Sequence, residues 1–368
     1  LSSLAENGFS SILVGQVMGE GALERTDTMK GWRTLAMVLG GVAVVAAGPA
    51  RTAGAAETVK LNLNFLPYGL HAGFFVAREQ GWYREGGMEV EILKGEGSSD
   101  AVLRMGTGVV DFAFADLGSL ILGRSRGLKV KALGIVLDKD PTVMISLKSA
   151  GINTPKDLEG KSVGAMTASG PRELFLPLAE VNKLDSKKVT WVDMPSNAYV
   201  PSLMSKKVQA ISTYVTTLPT YQIQAKRIGE EPSVLYYADY GVDTYGVGLL
   251  TSERMIREKP EMVRRFVHAS MRGYAWVFEN PEEAIRLFLK AQPEASPERV
   301  RSEIRITADL MLTPYAAKEG IGHYDEQKVL RTRDFSLKPR NIDPATMPAK
   351  DIYTNEFLPK LFPKRGNL

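Results

Sequence analysis

The chain is 368 residues long, carries a formal net charge of +4 and contains no cysteine. Disulfides, thiolate metal sites, a thiol nucleophile and an acylated-cysteine anchor are therefore excluded. A charge this small and dispersed lacks the basic patch that nucleic-acid binding requires.

In chain order, the first signal is Met29-Lys30-Gly31-Trp32-Arg33, followed by an apolar run over 35–47 and the small residues Ala53-Gly54-Ala55-Ala56. A positive start, a run shorter than the roughly 20 residues that span a bilayer, and small residues at a cleavage position make a secretory signal peptide over 29–56. Cleavage is expected between Ala55 and Glu57, with export to the periplasm. A membrane anchor is the alternative, and Gly40-Gly41 and Gly48-Pro49 count against it. Residues 1–28 precede the candidate initiator Met29 and read as an upstream extension outside the fold. The 312 residues from Glu57 onward exceed the size at which one core usually divides, so two lobes are expected.

Apolar residues at every second position over 59–65 predict a strand that ends before Pro67. A helix over 72–80 stops at Gly81, and Gly86-Gly87 turns the chain into an alternating strand over 88–92. A helix follows from Ser98 to about 105, then a strand over 111–115, a helix over 117–124 and a strand over 130–136. Alternation of this kind implies a mainly parallel sheet. The second series opens at the capped turn 154–158 and continues with a strand over 162–166 and a helix over 171–181. Strands over 189–193 and 210–214 and a helix over 218–228 complete it. The strand 247–250 returns the chain to the first lobe, and 261–279 forms an amphipathic helix. Lobe one is thus 57–150 plus 246–368, lobe two is 151–245, and the crossings at 149–151 and 243–246 form a two-segment hinge.

Ligands of open α/β sheets sit beyond the carboxyl ends of the strands. The loops there are rich in Gly, Ser, Thr and Tyr, which supply approachable N–H groups, hydroxyls and ring faces. The candidate ligand-binding residues are Phe65, Tyr68, His71, Gly97, Ser98 and Asp116 from lobe one, and Thr167, Ser169, Gly170, Arg172, Tyr214 and Tyr245 from lobe two. Each has a bland alternative. Tyr68 and His71 sit where they could equally cap a helix, and Asp116 is as good a cap for the helix beginning at Leu117. Ser169-Gly170-Pro171-Arg172 is either an anion anchor or an ordinary helix start. Gly95-Glu96-Gly97-Ser98-Ser99-Asp100 lacks the third glycine of a dinucleotide fingerprint and reads as a plain turn. The three histidines, His71, His268 and His323, are too far apart in sequence to suggest a zinc site.

The run Pro67-Tyr68-Gly69-Leu70-His71-Ala72-Gly73-Phe74-Phe75-Val76-Ala77, with Gly81-Trp82-Tyr83, Asp111-Phe112-Ala113-Phe114-Ala115-Asp116 and Thr154-Pro155-Lys156-Asp157-Leu158, resembles the NMT1/THI5-like group of periplasmic binding proteins. The resemblance runs from about residue 57 to 359. It implies a type II periplasmic-binding fold of two α/β lobes with a central ligand cleft. It also implies delivery of the solute to an ABC-transporter permease in the inner membrane. The synthase branch of that group is an enzyme that consumes bound pyridoxal phosphate with an active-site histidine and a cysteine-rich iron site. His71 stands at a comparable place, but the chain has no cysteine for the iron.

The resulting expectation is a monomeric, non-enzymatic solute-binding protein with no cofactor or metal and no nucleic-acid partner. Its aromatic loops favour a planar heterocycle, pyrimidine-like or an aromatic or sulfonate-type acid, over a bare inorganic anion. A pyrimidine-synthase-like enzyme using a bound cofactor is the alternative.

Overall fold

A computed structural model describes residues 56–368; the expected signal peptide up to Ala55 and the upstream extension lie outside the described residues. Ten strands form two five-stranded sheets. The first sheet holds β1 (Glu57–Asn62), β2 (Met88–Leu93), β3 (Phe112–Asp116), β4 (Val130–Ile135) and β10 (Val247–Ser252) in the order β2-β1-β3-β10-β4. The second holds β5 (Thr142–Leu147), β6 (Ser162–Ala165), β7 (Thr190–Asp193), β8 (Ala210–Tyr214) and β9 (Pro232–Tyr236) in the order β7-β6-β8-β5-β9.

The two sheets repeat one plan. In each, the fourth strand in spatial order runs antiparallel to its neighbours: β10 against β3 and β4, and β5 against β8 and β9. These are the strands next to the crossings between lobes. The sheets are therefore mixed rather than mainly parallel, because a strand that enters from the other lobe comes in against the βαβ direction.

The position of β5 moves the first crossing. The chain leaves the first sheet after Ile135 and joins the second at Thr142, so the boundary expected at 149–151 lies beyond a strand already in the second lobe. All six residues of β5 are buried, and a strand covered on both faces shows no alternation to detect. The second crossing runs from Tyr240 to Val247. Asp140 joins the two crossings: its carboxylate accepts from the Thr142 N–H at 2.7 Å, the Thr244 N–H at 3.1 Å and the Thr244 hydroxyl at 2.6 Å.

The helix expected over 171–181 is two, Gly170–Glu173 and Phe175–Val181. Pro177 has no N–H for the Glu173 carbonyl, which instead accepts from Arg340 Nη2 at 3.0 Å. The helix Pro260–Glu279 covers the first sheet, with Phe266 stacked on Phe112 at 3.8 Å between centroids. The helix Pro297–Met311, assigned with lobe one from sequence, packs on both the turn Gly69–His71 and the lobe-two helix Leu218–Arg227.

Candidate functional site

The carboxyl ends of the two sheets face each other, and loops from both close around a small cavity. Its lining includes Asn64, Phe65, Gly97 and Ser98 from the first lobe, and Ser169, Gly170, Tyr199, Ser212 and Tyr214 from the second. The space left is only about 20 Å³, roughly one water molecule. Six residues named from sequence meet here: Phe65, Gly97, Ser98, Ser169, Gly170 and Tyr214.

The lobes touch through polar groups. Tyr68 Oη and Thr216 Oγ1 lie 2.7 Å apart, and Tyr214 donates to Asp116 Oδ2 at 3.4 Å. The Ser99 N–H donates to the Ala168 carbonyl at 3.1 Å. Close approach depends on two glycines. A Cβ on Gly170 would lie 1.9 Å from Asp116 Oδ2, and one on Gly97, whose φ is +118°, would lie 2.2 Å from the Ala168 carbonyl oxygen. Substitution at either position would hold the lobes apart.

Asp116 caps the helix Leu117–Ser125, accepting from the Ser119 N–H at 2.7 Å and the Ser119 hydroxyl at 2.9 Å. The capping reading of this residue holds, and the same carboxylate receives Tyr214 from the other lobe; Asp116 stands behind the cavity lining rather than in it. Burial raises its pKa above the ordinary carboxylate value. Burial also raises the Tyr68 and Tyr214 phenols, which remain neutral donors.

His71 lies behind the cavity. Its Nδ1 accepts from the Tyr68 N–H at 3.3 Å, so Nε2 carries the proton and donates to Asn64 Oδ1 at 3.1 Å. Burial lowers its pKa to about 3, which keeps the ring neutral. It orients Tyr68 and Asn64.

Three sequence-named residues lie elsewhere. Arg172 pairs with Asp193 and stacks over Trp191, with 4.8 Å from the guanidinium carbon to the ring centroid. It does not line the cavity, because its guanidinium turns towards β7 and away from the loop 166–171, which does reach the cavity. Thr167 is exposed on that same loop. Tyr245 packs edge-on against Tyr324 in the first lobe's core, and its hydroxyl accepts from the Asp325 N–H at 2.7 Å.

Sequence reasoning missed Asn64, Tyr199 and Ser212. Ser212 precedes Tyr214 by two residues on β8 and therefore shares its face, a period-two relation visible in the sequence. Its Oγ is buried in the cavity lining beside the Tyr237 phenol, and the two hydroxyls lack a well-formed hydrogen bond. With the Tyr237 phenol on one side and the cavity on the other, this hydroxyl can pair with either.

A second cavity of about 400 Å³ adjoins the first and shares Phe65 and Tyr199 with it. Tyr68, Thr217, Tyr221, Glu294, Arg299 and Glu303 are among its walls.

No lysine lines either cavity, so neither offers an amine for a Schiff base with pyridoxal phosphate. Among the described residues no three His, Asp or Glu side chains converge as a metal site, and the sequence has no cysteine. The cleft therefore does not fit the cofactor and iron set of the synthase branch.

The comparisons agree with this architecture. The alkanesulfonate-binding protein SsuA from Xanthomonas axonopodis pv. citri, solved bound to MOPS, superposes with a TM-score of 0.63 at 13% identity, covering 81% of this chain and 99% of that one. This is the periplasmic-binding-protein fold. In sequence, the chain is 28% identical to riboflavin-binding protein RibY from Chloroflexus aurantiacus, over 82% of this chain and 86% of that protein. It is also 27% identical to a 4-amino-5-hydroxymethyl-2-methylpyrimidine phosphate synthase from Legionella pneumophila, over 82% of this chain and 92% of that protein. The family described as NMT1/THI5 like matches residues 69–284, more than half the length. The chain belongs to the NMT1/THI5-like family.

Proposed function

We propose that this protein captures a small planar heterocycle between its lobes, without turnover, and hands it to an ABC-type importer from outside the cytoplasm. The observation that carries this reading is the cavity between the lobes walled by Phe65, Tyr199 and Tyr214, with the buried Ser212 hydroxyl in its lining. Ring faces give stacking area, and the N–H and hydroxyl groups of the loops fix orientation. Micromolar capture needs only about −8 kcal/mol, within reach of a few stacked and hydrogen-bonded contacts after the cost of closure. The name of the Chloroflexus relative supports a heterocyclic ligand, and the fold shared with SsuA supports a transport setting. The aromatic walls favour a heterocycle over a bare anion.

The Legionella relative makes turnover the alternative to test. A thermal-shift and calorimetric screen of the protein from Glu57 onward, against riboflavin, pyrimidines, sulfonates and nitrate, tests binding. Recovery of the bound compound unchanged after long incubation supports capture; a converted product overturns it.

A further inference from the structure

The 20 Å³ inner cavity cannot hold a heterocycle of the proposed class without space from its neighbour, since small-molecule sites occupy roughly 300–1,000 Å³. The outer cavity, about 400 Å³, supplies that space and meets the inner one at Phe65 and Tyr199. Its polar chemistry differs. Glu303, 1% exposed, stands on the helix Pro297–Met311 and accepts from the Gly69 N–H through Oε2 at 2.7 Å. Its Oε1 lies 3.6 Å from Arg299 Nε, beyond hydrogen-bonding distance, and that buried Nε has no partner. A carboxyl oxygen and a guanidinium N–H thus sit side by side in the cavity wall with unused hydrogen-bonding capacity.

We infer that the outer cavity is a second subsite of the ligand cleft, which accepts an uncharged tail bearing hydrogen-bond donors and acceptors and rejects phosphate or sulfonate. A hydroxyl or amide donates to Glu303 Oε1 and accepts from Arg299 Nε, bridging the 3.6 Å ion pair and satisfying the orphaned Nε. An anion meets two carboxyl groups, Glu294 and Glu303, against one guanidinium. Burial pushes the Glu303 pKa up to about 7, so the carboxyl also serves as a donor in its protonated fraction, but an anion gains no net positive field in either state. The site also reports on closure: Glu303 holds Gly69, next to Tyr68, whose hydroxyl reaches Thr216 in the other lobe.

The inference rests on the heterocycle reading, and matched probes separate the two. Calorimetry is run with riboflavin against its 5′-phosphate, and with 4-amino-5-hydroxymethyl-2-methylpyrimidine against its phosphate. The expected result is that in a pair that binds, the neutral member binds at least tenfold tighter. Glu303→Gln, which keeps an acceptor for the Gly69 N–H, narrows that ratio at least fivefold. Melting curves establish that the variant folds; should it not, Glu294→Gln, at an exposed position on the same cavity, narrows the ratio in the same direction. Phosphate esters binding as tightly as the neutral probes, or a ratio unchanged in the folded variants, overturns the subsite and leaves the capture reading intact. Failure of every probe to bind the wild-type protein overturns both.

Discussion

Tyr68 and Thr216, 148 residues apart in sequence, join the two lobes through hydroxyls 2.7 Å apart. Both are buried, so this contact is made only when the lobes are together. Tyr68→Phe removes the phenol oxygen and keeps the ring. A hydrogen bond of this kind contributes a net ~0.5–1.5 kcal/mol, so affinity is expected to fall about two- to tenfold as closure becomes less favourable. Small-angle scattering should show a larger radius of gyration for the ligand-free variant than for the wild type; equal radii and equal affinities would count against the latch. Alanine is a poorer test, because Tyr68 and Tyr214 are both 7% exposed core residues and their truncation should also cost roughly 3 kcal/mol of stability.

Gly170→Ala should abolish tight binding while leaving the lobes folded. Its Cβ would collide across the closed cleft with Asp116, and would sit 2.9 Å from the hydroxyl of Tyr214 in its own lobe, whose ring end can shift aside. Calorimetry is expected to show at least a hundredfold loss of affinity with the best ligand, roughly 2.7 kcal/mol, and the melting temperature without ligand should stay close to the wild type. Wild-type affinity would mean that the ligand does not require this degree of closure.

Arg172→Ala should change the affinity for a neutral heterocycle by less than about twofold, because the guanidinium is committed to Asp193 and Trp191. A tenfold loss would place the arginine at the ligand after all.

Asp140, which joins the two crossings between the lobes, gives a pH dependence of stability. Burial raises its pKa from 3.8 to about 6 against the lowering effect of the Thr142 and Thr244 donors. The folded state therefore holds this proton more tightly than the unfolded one. The resulting stability is fully present below about pH 4 and is lost as pH rises through about 6, on the order of 3 kcal/mol in all. His71 works in the opposite direction: its pKa is lowered to about 3, so its contribution is lost as pH falls from 6.5 towards that value. Urea titrations of wild type and Asp140→Asn from pH 4 to 7 isolate the aspartate. The stability of the wild type relative to the variant should shrink with rising pH, and a pH-independent difference would refute the shift.

Much of the first lobe was legible because its elements are half-buried and periodic. The strands at 59 and 88 alternate, the helix at 72 stops at a glycine with φ of +78°, and the observed elements lie within a few residues of those expected. The elements that escaped notice lack such signals. β5 is buried on both faces, and β9 is an edge strand that begins with a proline. The candidate site divides along the same line. Residues in the loop after a strand, such as Phe65, Ser98 and Gly170, followed from the rule that ligands sit at strand ends.

Where a loop points was not legible. Arg172 and Gly170 are two residues apart, yet one stacks on Trp191 at the lobe's outer side and the other seals the cleft. Glu303, four residues after Arg299 on an amphipathic helix, has the spacing of a solvated ion pair; only the packing of that helix across both lobes buries it. The sequence by itself determined the two-lobed plan, the family and the loops that border the cleft, because periodicity and turn residues act over a few neighbours. The tertiary structure alone decided the inner and outer cavities and the Tyr68–Thr216, Tyr214–Asp116 and Asp140–Thr244 contacts, because each depends on two segments about a hundred or more residues apart meeting within hydrogen-bonding distance.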